Sequence, residues 1–163
     1  MSIAKRLKEY LDREKVLYEV LTHSQAHTAS ELAQALRMPR NELAKVVILR
    51  VGERFVMTVL PANLKIEVKH LRDLFQTHAV RLATEEEFKT LFPDCELGAM
   101  PPFGNLYGLD VYVDECLTTS DDIVFQAGTS SEAMKLRYRT FANLVHPLVA
   151  ELHMPSSWSK TGS

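Results

Sequence analysis

The sequence predicts an α/β protein of the α+β kind, a mixed, mainly antiparallel sheet with helices packed against it. Three observations predict it. Two β-rich runs, 46–51 and 54–60, are separated by Gly52-Glu53, the pattern of a hairpin. Helical and strand-like stretches mix along the chain without strict βαβ alternation, so hairpin neighbours organise the sheet. The length of 163 residues, 46% apolar and 25% charged, describes one ordinary globular domain. Such a chain buries roughly 70% of its unfolded surface and needs no covalent staples.

The elements follow in order. Ile3, Leu7, Tyr10 and Leu11 recur at helical spacing, so the chain opens with a short amphipathic helix. Residues 16–21, Val-Leu-Tyr-Glu-Val-Leu, read as a strand. Thr28-Ala29-Ser30-Glu31 is a capping box, in which the Thr hydroxyl accepts from an amide three residues on and the Glu reaches back. Leu32, Ala33 and Leu36 form the buried face of that helix, and Pro39 ends it. The hairpin comes next. Residues 66–75 carry apolar side chains at 68, 71, 74 and 75 and read as a helix. Residues 79–82 form a short strand, and Thr84-Glu85-Glu86-Glu87 caps a helix running through Leu91.

Residues 93–105 hold three prolines and two glycines and are irregular. Residues 107–113, 123–126 and 134–138 are strand-like, and 139–145 form the last helix. The domain spans 1–154; the polar stretch 155–163 is expected to fray. The chain has no internal repeat.

Nineteen Lys+Arg oppose 21 Asp+Glu, a formal net charge of -2. A protein that wraps nucleic acid along its whole surface is strongly basic, so any nucleic-acid contact here is confined to one local site. Two cysteines, Cys95 and Cys116, exclude a disulfide framework and a four-thiolate zinc site. The start, Met1-Ser2-Ile3-Ala4-Lys5-Arg6-Leu7-Lys8, has no continuous apolar core, so no secretory signal is expected there. No window approaches 18 uninterrupted apolar residues, so no membrane partner is expected and the expected location is the cytoplasm.

Three features carry candidate chemistry. Lys45 enters a run apolar on both faces, Leu43-Ala44-Lys45-Val46-Val47. It is either a solvated strand-end residue or a cation at the lip of a cleft, where desolvation makes it responsive. Leu97-Gly98-Ala99-Met100-Pro101-Pro102-Phe103-Gly104 is a rigid loop. Its amides at Gly98, Ala99 and Met100 either face a ligand oxygen or belong to an ordinary turn. It lacks the Gly-Lys-[Ser/Thr] ending of a phosphate-cradling loop. Phe125-Gln126-Ala127-Gly128-Thr129-Ser130-Ser131-Glu132 sets small polar groups at a strand end, either for a ligand or as a plain turn. His23 and His27 have a metal-like spacing but no third or fourth ligand, so no metal is expected. No local context supports a Cys95 or Cys116 nucleophile, and the methionines read as core filler.

Together these pieces resemble the YbaK/prolyl-tRNA-synthetase-associated domain family. The resemblance runs from about Leu17 to Pro147. Its pieces stand in the family's order: His23 to Ala29 ahead of a helix, Leu43-Ala44-Lys45-Val46-Val47, Gly98 through Gly104, Asn105 through Asp114, and Phe125-Gln126-Ala127-Gly128. It implies a small α/β domain that hydrolyses the ester of mischarged tRNA carrying alanine, cysteine or serine, acting in trans. The family lysine falls on Lys45 and the Gly-x-x-x-Pro loop on Gly98 through Pro102. A hydroxyl of the tRNA's terminal ribose assists the attack of water in this family, so no catalytic triad and no cofactor are implied. The partners are the acceptor end of mischarged tRNA, on the proline tRNA in particular, and prolyl-tRNA synthetase.

The chemistry suits such an enzyme, because a synthetase pocket separates substrates differing by one methylene only about 10- to 200-fold. We expect Lys45 to position the aminoacyl end or the terminal adenosine. The amides of Gly98, Ala99 and Met100 are expected to stabilise the oxyanion. Thr28, Pro101, Pro102, Phe103, Gly128, Thr129 and Ser130 are expected to contact substrate. Lys65, Lys69, Lys135 and Arg137 are the local cations for tRNA, on a monomer. The chain departs from the family at Ser130-Ser131, where many relatives carry His-Thr, and at Gln126, often Asn. Serine cannot titrate near neutral pH as histidine does. A second reading is therefore a non-catalytic module that binds aminoacyl-tRNA or a synthetase. A third is a hydrolase of small aminoacyl esters independent of tRNA.

Overall fold

The computed structural model describes residues 3–154. The expected frayed stretch 155–163 lies outside them. Five helices flank two sheets: α1 (Lys5–Arg13), α2 (Ala29–Leu36), α3 (Val68–Phe75), α4 (Glu85–Phe88) and α5 (Tyr138–Val145). The strands are β1 (Glu19–Thr22), β2 (Ala44–Val51), β3 (Arg54–Pro61), β4 (Val80–Leu82), β5 (Asp110–Asp114), β6 (Asp122–Thr129), β7 (Glu132–Arg137) and β8 (Leu148–Ala150). Among the described residues no helix is long and apolar enough to cross a membrane.

The β2–β3 hairpin forms as expected, Val51 facing Arg54 across Gly52-Glu53. Gly52 has φ +60°, the left-handed conformation a tight hairpin turn asks of its first residue. The strands do not form one sheet but two. The larger has the order β4-β2-β3-β5-β8 and the smaller β1-β7-β6. The larger sheet is mixed: β3 with β5 and β5 with β8 are parallel, the other pairs antiparallel. One bridge, Leu43 to Val124, joins the two sheets. Their facing sides meet in the main core, where Met57, Val59, Val113, Phe103, Phe125 and Phe141 pack with Leu7 and Leu11 of α1.

Several boundaries differ from the pattern reading. The first strand begins at Glu19, because Lys15 turns the chain at φ 56° and Leu17 is 93% exposed. Tyr107 ends a 3-10 turn (Gly104–Tyr107) instead of opening a strand, since Gly108 takes φ +75°. The strand at 123–126 extends to Thr129 and pairs with β7 as a second hairpin. The helix expected through Leu91 is α-helical only to Phe88 and tightens to a 3-10 turn.

β8 carries no pattern of its own and is held in place by Asp114. That buried carboxylate accepts from the amides of Cys116 (2.9 Å), Leu152 (2.9 Å) and His153 (3.1 Å) and meets His153 Nδ1 at 2.7 Å. Burial alone would raise its pKa, but the His153 ring and the amides outweigh burial and hold it below the ordinary value.

Candidate active site

The site grows from three connections between elements. A 3-10 turn (Arg40–Glu42) feeds β2, which puts Lys45 one residue inside the strand and opposite Leu60. Thr28 caps α2: its hydroxyl accepts from the Glu31 amide at 3.1 Å. The Glu31 carboxylate returns to the His27 amide at 3.0 Å, one residue before the cap, so the box closes around His27 rather than Thr28. The Gly98 loop then folds over both.

Lys45, His27, Thr28, Ala29, Leu32, Ala44, Val46, Gly98, Met100 and Gln126 enclose a cavity of about 180 Å³. Lys45 is half-buried in it. Burial, and then repulsion from Arg40 and Lys65, lower its pKa below the ordinary lysine value. The cavity wall holds no serine, cysteine or carboxylate.

The loop is laced to the β6–β7 turn. The Glu96 amide donates to Gly128 O and the Gly128 amide to Ala99 O, both at 2.8 Å. The Glu96 carboxylate accepts from the Ser130 amide, which pulls its pKa below the ordinary carboxylate value. Ala26 and His23 donate their amides to Ser130 O (2.7 Å) and Ser131 O (3.0 Å). Gln126 Nε2 donates to Ala26 O at 3.0 Å, and Gln25 Nε2 to the Ser130 hydroxyl at 3.3 Å. Three segments, 23–28, 96–100 and 126–131, thus form one frame.

The structure brings together four of the expected site residues: Lys45, Thr28, Gly98 and Met100. Gly98, at φ +87°, offers an amide whose acceptor is only the Met100 thioether at 3.3 Å. The Ala99 amide is not free for an oxyanion; it donates to Glu96 O at 3.0 Å. Pro101, Pro102 and Phe103 are buried behind the loop, away from the cavity wall. Phe103 stacks on Phe125 and Phe141, with centroids 5.8 and 5.5 Å away, and belongs to the core. Gly128, Thr129 and Ser130 are buried in the frame and do not line the cavity. Neither Ser130 nor Ser131 lines the cavity.

Of the expected tRNA cations, Lys65 lies near enough to Lys45 to repel it. Lys69 is exposed on α3, and Arg137 is exposed where β7 meets α5. Lys135 lines a separate cavity of about 530 Å³ among Glu19, Glu42, Asp121 and Asp122, and lies 3.8 Å from Asp122. Gln126 and His27 entered the wall without having been singled out for it, although both stand within the family-like stretches. Glu96 carried no signal: an acid ahead of a Gly-Pro loop is ordinary. Asp114, Cys116 and His153 do gather ligand atoms within 4.8 Å of one another, a convergence their spacing in the chain conceals.

The model of the aminoacyl-tRNA editing domain matches residues 23–144, which covers all three framing segments. The chain belongs to the aminoacyl-tRNA editing domain family. Among the relatives of this editing domain are proline–tRNA ligases. That of Macrococcus caseolyticus is 26% identical over 70% of this chain and 20% of the ligase. That of Staphylococcus saprophyticus is 30% identical over 62% of this chain and 18% of the ligase. The chain thus spans about a fifth of the length of the ligases it matches. The editing-domain fold recurs in solved structures. One is a candidate trans-editing enzyme for prolyl-tRNA synthetase, with TM-score 0.80 and 21% identity over 93% of this chain and 97% of that one. Another is a hypothetical protein with TM-score 0.83 and 18% identity over 92% of this chain and 100% of that one.

Proposed function

We propose that this editing domain hydrolyses mischarged tRNA in trans, removing a small amino acid (alanine, cysteine or serine) from the proline tRNA. The observation that carries the reading is Lys45, a half-desolvated cation facing a small cavity beside the Gly98 loop. A volume of about 180 Å³ lies below the 300–1,000 Å³ common for ligand pockets, and suits an aminoacyl group of few atoms. The proline–tRNA ligase relatives support the choice of tRNA.

Water adds to the ester carbonyl carbon, the bond to the ribose oxygen breaks, and the free amino acid and tRNA leave. Lys45 holds the aminoacyl end or the terminal adenosine as charge develops on the carbonyl oxygen. The Gly98 amide is the candidate oxyanion donor: a thioether is a weak acceptor on a flexible side chain, and an oxyanion displaces it. Ala99 takes no part. Thr28 supplies the one hydroxyl of the wall and is engaged in capping α2; assistance to the attacking water from the substrate's own ribose hydroxyl is what the family resemblance implies.

The test is to incubate the purified protein with alanyl-, cysteinyl- and seryl-tRNA of the proline acceptor and follow ester loss. Hydrolysis of at least one above the buffer rate is expected. No hydrolysis of any of them overturns the reading.

A further inference from the structure

At the end of β2 away from Lys45 lies a cluster of positive charge that the candidate active site does not use. Arg50 of β2 stands directly opposite Arg81 of β4 in antiparallel register. Like charges facing across a ladder destabilise it. Arg72 on α3 and His78 in the following turn join them, and with Gly52, Ala79 and Val80 they line a cavity of about 380 Å³. No carboxylate lines it.

The charges are unequally met. Arg81 is tied to Glu87 through both terminal nitrogens, at 2.8 and 2.6 Å. Arg50 gives its Nε to Gly52 O at 3.1 Å and lies over the Phe55 ring at 4.7 Å, which leaves its terminal nitrogens for a ligand. Arg72 Nε is buried and has no hydrogen-bond partner among the described residues. A buried N–H on a charged group is costly to leave unmet; an oxygen brought into the cavity reaches it only if the Arg72 side chain shifts toward the ligand, and relief of that cost favours the shift.

We propose that this cavity holds a backbone phosphate of the RNA whose 3′ end enters the Lys45 cavity. Guanidinium forks match phosphate oxygens in shape and charge, where lysine offers only a point charge. Lys45 and Arg50 are both on β2, about 17 Å apart along the strand and on opposite faces of it, so an RNA reaching both passes around the edge of the sheet. One strand thus carries both ends of the grip, the reacting ester at its start and the backbone at its far end. The inference rests on the tRNA reading above and adds where the RNA is held.

The experiment is the binding of fluorescent, uncharged proline tRNA to the wild type, Arg72→Gln and Arg50→Gln between 50 and 200 mM salt, with inorganic phosphate titrated separately. Each variant is expected to bind about fivefold more weakly and to flatten the slope of log K against log salt by about 1. Arg72→Lys should recover the slope but not the full affinity. Thermal melts confirm folding, and the strand-surface change Arg50→Gln keeps the test decisive if Arg72→Gln does not fold. Folded variants that match wild-type affinity and slope overturn the proposal. So does inorganic phosphate binding as tightly as tRNA, which would mark a site for a free anion. If the wild type hydrolyses no charged tRNA while both variants weaken tRNA binding, the deacylase reading falls and this site stands. If the ester is hydrolysed and the variants bind as the wild type does, the site falls and the deacylase stands.

Discussion

Lys45 sits where protein excludes part of its water and where its charged neighbours, Arg40 and Lys65, repel it. That is a poor place for a cation until an electron-rich group arrives, which is the property differential transition-state binding needs. Lys45→Ala is expected to lower kcat/KM on mischarged tRNA at least tenfold, about 1.4 kcal/mol of transition-state stabilisation. The same variant should melt no lower than the wild type, because it removes an unmatched charge. Ester release and a thermal melt measure the two effects. Lys45, Thr28, Gly98 and Met100 were legible because each lies in a short stretch whose local chemistry is unusual. Glu96 and Gln126 were not, because their roles depend on partners 34 and 100 residues away. Phe103 misled for a related reason: an aromatic after Pro-Pro reads the same whether it faces a ligand or the core.

The frame around the cavity makes its own demands. Gly128 has φ +99°, and a Cβ there would lie 2.6 Å from the Ala4 Cβ and 2.9 Å from the Ala4 nitrogen. Backbone cannot yield as a side-chain tip does, so Gly128→Ala should cost about 2–3 kcal/mol. That is a fall in Tm of roughly 5–10 °C for a domain this size. Gly52→Ala has a positive φ but open space around it, and should cost only about 1 kcal/mol. A pair of melts compares them. The Glu96 carboxylate is held below its ordinary pKa, first by the Ser130 amide. A depressed folded pKa means the stabilisation is complete above the unfolded value, near about 4.3 for Glu, and lost as pH falls through the folded one. The wild type should therefore melt above Glu96→Gln by a constant margin beyond about pH 5, and the margin should shrink below about pH 4. A pH-independent margin would contradict the Ser130 contact. Among elements, the β2–β3 hairpin was legible because a two-residue turn is a local signal. β8 was not: three residues pair in parallel with a strand more than thirty positions away, fixed by Asp114 and not by their own pattern.

Across the whole molecule, a net charge of -2 conceals an uneven distribution. Arg40 and Lys65 gather at Lys45, and Arg50, Arg72 and Arg81 at the far end of the same strand. The opposite character holds around Lys135, whose cavity is walled by Glu19, Glu42, Asp121 and Asp122. A phosphate approaching Lys135 meets a negative field, so a lysine read from sequence as a tRNA contact is an unsuitable one in the fold. Lys65→Ala should weaken tRNA binding several-fold and flatten the salt slope by about 1, whereas Lys135→Ala should change affinity less than about twofold. The total slope carries the larger argument. With about three phosphates engaged, log K should fall with log salt at about -2 to -3, so that raising salt from 50 to 200 mM weakens binding about 16- to 64-fold. A protein gripping six to ten phosphates would lose about a thousandfold or more over the same range. A measured slope that steep would mean contact along most of the surface, which the acidic face around Lys135 opposes. A slope near -2 to -3 would mean an acceptor end held along β2 alone.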